Sequence, residues 1–118
     1  MAIKPKNSWL PIGTVRLRNE YHVDRRADVY RIRSFTARDA QFGQDVDGKV
    51  LRYLASALSG QTVTVEDTEK ELTHSGLKLP YQYGYKLHFF AQEVLVALVA
   101  SGQASHKRVG RRFEYYIA

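Results

Sequence analysis

Four cations occupy six positions near the end of the chain, in the stretch ASHKRVGRRFEYYIA: Lys107, Arg108, Arg111 and Arg112, set around Gly110. Ammonium and guanidinium groups at that density attract anions, and arginine grips phosphate or carboxylate through a planar fork. This density exceeds what solubility requires, although a solvated, charge-rich turn is the plain alternative. A second set sits near the start. Arg16 and Arg18 in GTVRLRNEY, and Arg31 and Arg33 in DVYRIRSF, take every second position, with Arg25 and Arg26 between the two stretches. If both stretches are strands, these four arginines share the outward face. That face suits a polyanion or an acidic protein surface, or is simply the polar side of a half-buried sheet. A third set, Tyr81, Gln82, Tyr83, Tyr85, Lys86 and His88, surrounds Gly84. Its tyrosines suit stacking on planar rings, or a place in the core.

Other chemistries find little support. Cysteine is absent, which excludes disulfides and thiolate ligands. The four histidines, His22, His74, His88 and His106, show no metal-binding spacing. HVDRRAD brings His22, Asp24 and Asp28 together, but in no nuclease pattern. There is no nucleophile elbow and no glycine-rich phosphate loop. The expectation is a non-enzymatic protein with no cofactor and no metal.

The net charge is +6, and it is unevenly spread. Residues 1–38 carry nine Lys and Arg against three acids, and residues 104–118 carry four against one. Between them, residues 61–76 are acidic, with Glu66, Asp67, Glu69 and Glu71 against Lys70. Positive charge at both ends favours a polyanionic partner. The longest apolar run, VLVALVA, is far short of the ~18 residues of a membrane span. MAIKPKNSW lacks the apolar core of a signal peptide, so a cytoplasmic protein without membrane contact is expected.

These side chains need elements to position them, and 118 residues suffice for one small domain with an appendage. Val15 and Leu17, then Tyr30 and Ile32, alternate with the arginines and predict a basic N-terminal β-hairpin, the polar segment between them forming its loop. RDAQFGQDVDG, residues 38–48, reads as a connector, dividing residues 1–46 from residues 47–118. Beyond it, Val50, Leu51, Leu54 and Leu58 line a helix that Gly60 can end. A short β-prone run follows. Thr64 then caps a second helix, with Glu66 and Asp67 in its first turn and Gly76 at its stop. Leu87, Phe90, Ala91, Val94, Leu95 and Leu98 line a longer third helix ending at Gly102. That helix is apolar almost all round, which predicts either full burial or a homodimer contact. Last, ASHKRV and RRFEYYIA flank Gly110 as a hairpin. Phe113, Tyr115 and Ile117 face inward, and the basic cluster sits at the tip.

Helix, short strand, helix, turn, helix, hairpin is an order that resembles the winged helix-turn-helix family over residues 47–118, most closely in VLVALVASGQASHKRVGRRFEYYI. The resemblance implies an α+β protein: a winged helix domain of three helices and a C-terminal wing, preceded by the basic hairpin. It further implies binding of double-stranded DNA, as a regulator or accessory factor of transcription or replication. The start of the third helix, with Gln82, Tyr83, Tyr85 and Lys86, would then meet the major groove. Lys107, Arg108, Arg111 and Arg112 would meet the flanking backbone or minor groove, and Arg16, Arg18, Arg31 and Arg33 would add a second contact face. Two other readings stay open: a winged-helix module that binds an acidic protein partner, and an RNA-binding or ribosome-associated protein.

Overall fold

The computed structural model describes residues 8–36, 41–80 and 84–118. The N-terminal part is an antiparallel meander of β1 (Leu10–Arg16), β2 (Glu20–Arg26), β3 (Val29–Phe35) and β4 (Gln41–Asp47). The two expected strands are β1 and β3, and the hairpin expands into four strands. The polar segment between them, Arg25 and Arg26 included, is β2, and most of the expected connector is β4. Both segments hide their period because the outward positions carry charge. Tyr21 and Val23 in β2 and Val46 in β4 are buried, while His22, Asp24, Asp45 and Asp47 alternate with them on the other face.

The β2–β3 turn is Ala27–Asp28. Ala27 has φ 52°, a left-handed conformation that costs a residue with a Cβ about 1–2 kcal/mol. Asp28 docks this turn onto the first helix. Its carbonyl accepts from Gly48 N–H at 2.8 Å, and its carboxylate takes both Arg52 nitrogens, at 2.7 and 2.9 Å. A Cβ on Gly48 would lie 2.0 Å from Asp28 Oδ1, so any side chain there would push the Asp28 carboxylate off its place on Arg52. The Arg52 hydrogen bonds and charge hold the Asp28 carboxyl below the usual carboxylate range. Ala27→Gly relieves the turn's backbone cost and should add about 0.5–1 kcal/mol of stability after the entropy glycine loses on folding. Urea denaturation at constant slope checks it, and an unchanged or lowered midpoint would show that the turn holds no such strain.

β4 runs directly into α1 (Gly48–Ala57), where the Asp47 side chain accepts from Lys49 N–H. α1 buries Val50, Leu51 and Leu54, with Leu58 just beyond its end. β5 (Thr62–Val63) leads into α2 (Val65–Thr73), closed by a reciprocal cap between Thr64 and Asp67. Then follow α3 (Gly84–Ala100), β6 (Ala104–Val109) and β7 (Arg112–Ile117), with a second sheet in the order β5-β7-β6. Three helices, a short strand and a terminal hairpin stand in the order typical of winged-helix-like folds.

α3 is the centre of the molecule. It packs against all four strands of the first sheet, against α1 and α2, and against β6. Val94, Leu95, Val96, Ala97 and Leu98 are fully buried. The all-round apolar character of VLVALVA is used largely within the chain, with Val99 and Ala100 at its end partly covered. Among the described residues, no helix is long and apolar enough to cross a membrane.

Candidate nucleic-acid interface

A two-residue loop, Gly110–Arg111, joins the paired residues Val109 and Arg112. Gly110 has φ +63° and Arg111 does not share the sign, the pattern of a type II′ hairpin turn. In the β6–β7 register, His106 and Arg108 share a face with Phe113, Tyr115 and Ile117, whereas Lys107 shares the opposite face with Arg112, Glu114 and Tyr116. Tyr115 and Ile117 are fully buried and anchor the wing. Phe113, closer to the tip, is only partly covered. Lys107, Arg108, Arg111 and Arg112 are all exposed. Arg108 Nε donates to the Gly110 carbonyl at 3.1 Å, which stiffens the tip, and Arg112 pairs with Glu114 at 3.1 Å.

The N-terminal arginines divide. Arg18 lies past the end of β1, and its guanidinium donates to the carbonyl of Arg111, so it joins the wing tip. Arg16, Arg31 and Arg33 lie on the outward face of the first sheet and meet acids there. Arg31 forks onto Asp45 at 2.8 and 3.2 Å, and Arg33 reaches the buried Asp24 at 3.0 Å. Arg16 lies 3.7 Å from Glu20. Asp24 and Asp45 are the register partners of Arg31 on its two sides. The guanidinium groups of Arg31 and Arg26 also sit 4.1 and 4.4 Å from the centre of the Trp9 ring. The outward face is therefore a mixed-charge ladder, because β2 and β4 bring in acids that loops would have left elsewhere.

At the start of α3, Lys86 is exposed, as is Phe89. Tyr81, Gln82 and Tyr83 lie outside the described residues, as does the side chain of Tyr85. Two clefts open along this half of the helix. One, about 520 Å³, lies between the first sheet and α3, where Tyr21, Ser34 and Gln44 face Phe89, Phe90 and Glu93. The other, about 350 Å³, lies between α3 and the wing, where His88 and Gln92 face Arg18, Arg111 and Arg112. Asn19, Tyr21, Phe89 and Gln92 line both, so the two clefts are neighbours.

Two polar groups in these walls stand out. The Tyr115 hydroxyl is buried with no hydrogen-bond partner among the described residues, and burial pushes its ionisation upward. Burial also pushes the Glu93 carboxyl up to about 7, with no cation or hydrogen bond among the described residues to offset it. The spacing rules did not single out Glu93. The available signal was that it is the only charged residue between Leu87 and Gly102.

The acids of α2 have local roles. Asp67 closes the cap, Glu71 accepts from the Tyr53 hydroxyl at 2.7 Å, Glu69 lies 3.4 Å from His88, and Glu66 alone lines the wing cleft. His22, Asp24 and Asp28 do not converge. His22 packs edge-on against Phe35, Asp24 serves Arg33, and Asp28 serves Arg52. No group of three or more His, Asp or Glu fit to hold a metal ion is found among the described residues. Compared with family profiles, curated proteins and solved structures, the chain matches none.

Proposed function

We propose that this protein binds double-stranded DNA without catalysis, leading with its wing, and acts as a regulator or accessory factor of transcription or replication. The observation that carries this reading is the wing tip, where Lys107, Arg108, Arg111 and Arg112 are exposed on an anchored hairpin and Arg18 joins them across the molecule. Phosphate contact needs only such a cluster, and it carries no base information. α3 adds less than the usual recognition helix. Its second half is buried, and its first half offers Lys86, Phe89 and Gln92 along the floor of a cleft. Binding should therefore tolerate many sequences. The mixed-charge face of Arg16, Arg31 and Arg33 contributes less, since Glu20, Asp45 and Asp24 balance its arginines one for one, whereas on the hairpin Glu114 stands against four cations.

Salt titration tests the reading. With about four phosphates neutralised, log affinity should fall with log salt at a slope of about −3.6, or roughly 150-fold between 50 and 200 mM. A flat response would sink the phosphate contact and favour a protein partner. Stronger competition by structured RNA than by duplex DNA would move the assignment to RNA.

A further inference from the structure

The core-facing side of the first sheet changes character along its length. Val23, Ile32 and Val46 are buried against the helices. Two positions along each strand, the same face carries Tyr21, Ser34 and Gln44, and these border the cleft of about 520 Å³. Gln92 and Glu93 close it from α3, and Asn19 from the β1–β2 turn. Its volume falls within the roughly 300–1,000 Å³ of small-molecule sites. Ser34 is only 8% exposed, borders the cleft, and makes no side-chain hydrogen bond among the described residues. The Tyr21 hydroxyl, in hydrogen-bond contact with Asn19, lies within the field of the Glu93 charge. Water can satisfy a hydroxyl or an amide, but it does not return to a half-buried carboxylate what burial takes away. Glu66 and the arginines of the wing belong to the neighbouring cleft and do not border this one.

We propose that the cleft between the first sheet and α3 binds a small organic amine, its ammonium on the Glu93 carboxylate and its short apolar body between sheet and helix. The wall excludes the other ligand classes in turn. An anion meets the Glu93 charge. A neutral polyol satisfies the hydroxyl and the amides but leaves the carboxylate as it was. A purely apolar ligand strips water from each polar group and returns nothing. An ammonium supplies three donors and the opposite charge, the strong form of hydrogen bond. Donors that do not reach Glu93 find acceptors in the Ser34 hydroxyl and in the Gln44 side-chain oxygen, since Gln44 already gives its nitrogen to the Asp45 carbonyl. Lys86 lines the same cleft two turns before Glu93, about 10 Å back along α3. The ligand's charge therefore belongs at the Glu93 end, and a polyamine would carry its further charges toward Lys86. Burial holds the Glu93 carboxyl up to about 7, so the site takes an ammonium best above that pH. Of the groups that face Glu93, Tyr21 from β2 is pushed up and stays neutral, and β3 and β4 bring only Ser34, Thr36 and Gln44, which do not titrate. None of this rests on the reading of the wing.

The test titrates the full chain with benzylamine, benzyl alcohol and benzoate at pH 5 and pH 8, by calorimetry or ligand-induced NMR shifts. The three probes share one ring and differ in charge. At pH 8 benzylamine should bind with a Kd of about 1 mM or tighter, roughly 10-fold or more ahead of the alcohol, and benzoate should not bind. At pH 5 the amine is still charged but Glu93 holds its proton, so most of that preference should disappear. Glu93→Gln should remove the preference at pH 8. Glu66→Gln, which neutralises the carboxylate of the neighbouring cleft, should leave it unchanged. Equal binding of amine and alcohol, a preference that is the same at both pH values or survives Glu93→Gln, or no binding of any probe would each overturn the proposal. Loss of the preference in Glu66→Gln would overturn it too, by placing the ammonium in the neighbouring cleft. The pH comparison needs no variant, so it decides the matter even if Glu93→Gln fails to fold. Salt-sensitive duplex binding is measured separately and stands or falls apart from these results.

Discussion

Glu93→Gln should raise the melting temperature at pH 8 by about 5 °C and leave it nearly unchanged at pH 4. The carboxyl titrates at 4.5 when unperturbed and is pushed up to about 7 in the fold, with burial as the cause. Between those values the native state holds a proton that the unfolded chain has released. Stability is therefore greatest below about pH 4.5, falls as pH rises toward 7, and stays at the lower level above it. The full shift corresponds to about 3 kcal/mol. Because the cleft is open to water on one side, a loss of about 1–2 kcal/mol is the realistic expectation. Gln keeps the shape and cannot ionise, so it removes the high-pH penalty only. Two other ionisable groups line the same cleft, Tyr21 from β2 and Lys86 from α3. Burial pushes the Tyr21 hydroxyl further up, so it stays neutral across this window. Melting curves of both proteins from pH 4 to pH 8 settle the point. A difference that is the same at every pH would mean that ionisation of Glu93 is not its source.

The sequence revealed local features and concealed long-range ones. α1 could be read because Val50, Leu51, Leu54 and Leu58 mark one face, and α2 because Thr64 and Asp67 form its cap. The wing could be read because Gly110 is a turn residue between two alternating runs, and it does carry a positive φ. β2 and β4 could not. Each buries few apolar side chains, and their acids look like loop acids until Arg31 and Arg33 lie beside them. The same pairing changes the meaning of the arginine stripe. Four alternating arginines suggest a cationic face only if their neighbours in the sheet are uncharged, and strand order decides that. The cleft was equally hidden, because its walls come from segments far apart in the chain. Arg18 meets Arg111 across 93 positions, and no spacing rule reaches that far.

The wing should separate into a tip that binds and a base that folds. Arg111→Ala with Arg112→Ala should leave the melting temperature nearly unchanged, because exposed charges contribute at most about 1 kcal/mol. The same pair should weaken duplex binding about equally across sequences. The salt slope should also flatten by about one for each phosphate that the variant no longer neutralises. Tyr115→Ala acts at the base. Its ring is fully buried, and deleting a buried aromatic side chain typically costs about 3–5 kcal/mol, a large part of the ~5–15 kcal/mol that holds a domain together. The larger cost belongs at Tyr115 and not at Phe113, since Phe113 is only partly covered. Tyr115→Phe separates ring from hydroxyl. That hydroxyl has no partner among the described residues, so removing it should be neutral or slightly stabilising. Thermal melts and salt-titrated binding of the three variants give the answer. If the arginine pair melts the protein while Tyr115→Ala does not, the wing's two faces are reversed. If Tyr115→Phe destabilises by more than about 1 kcal/mol, the hydroxyl already forms a hydrogen bond that holds the fold.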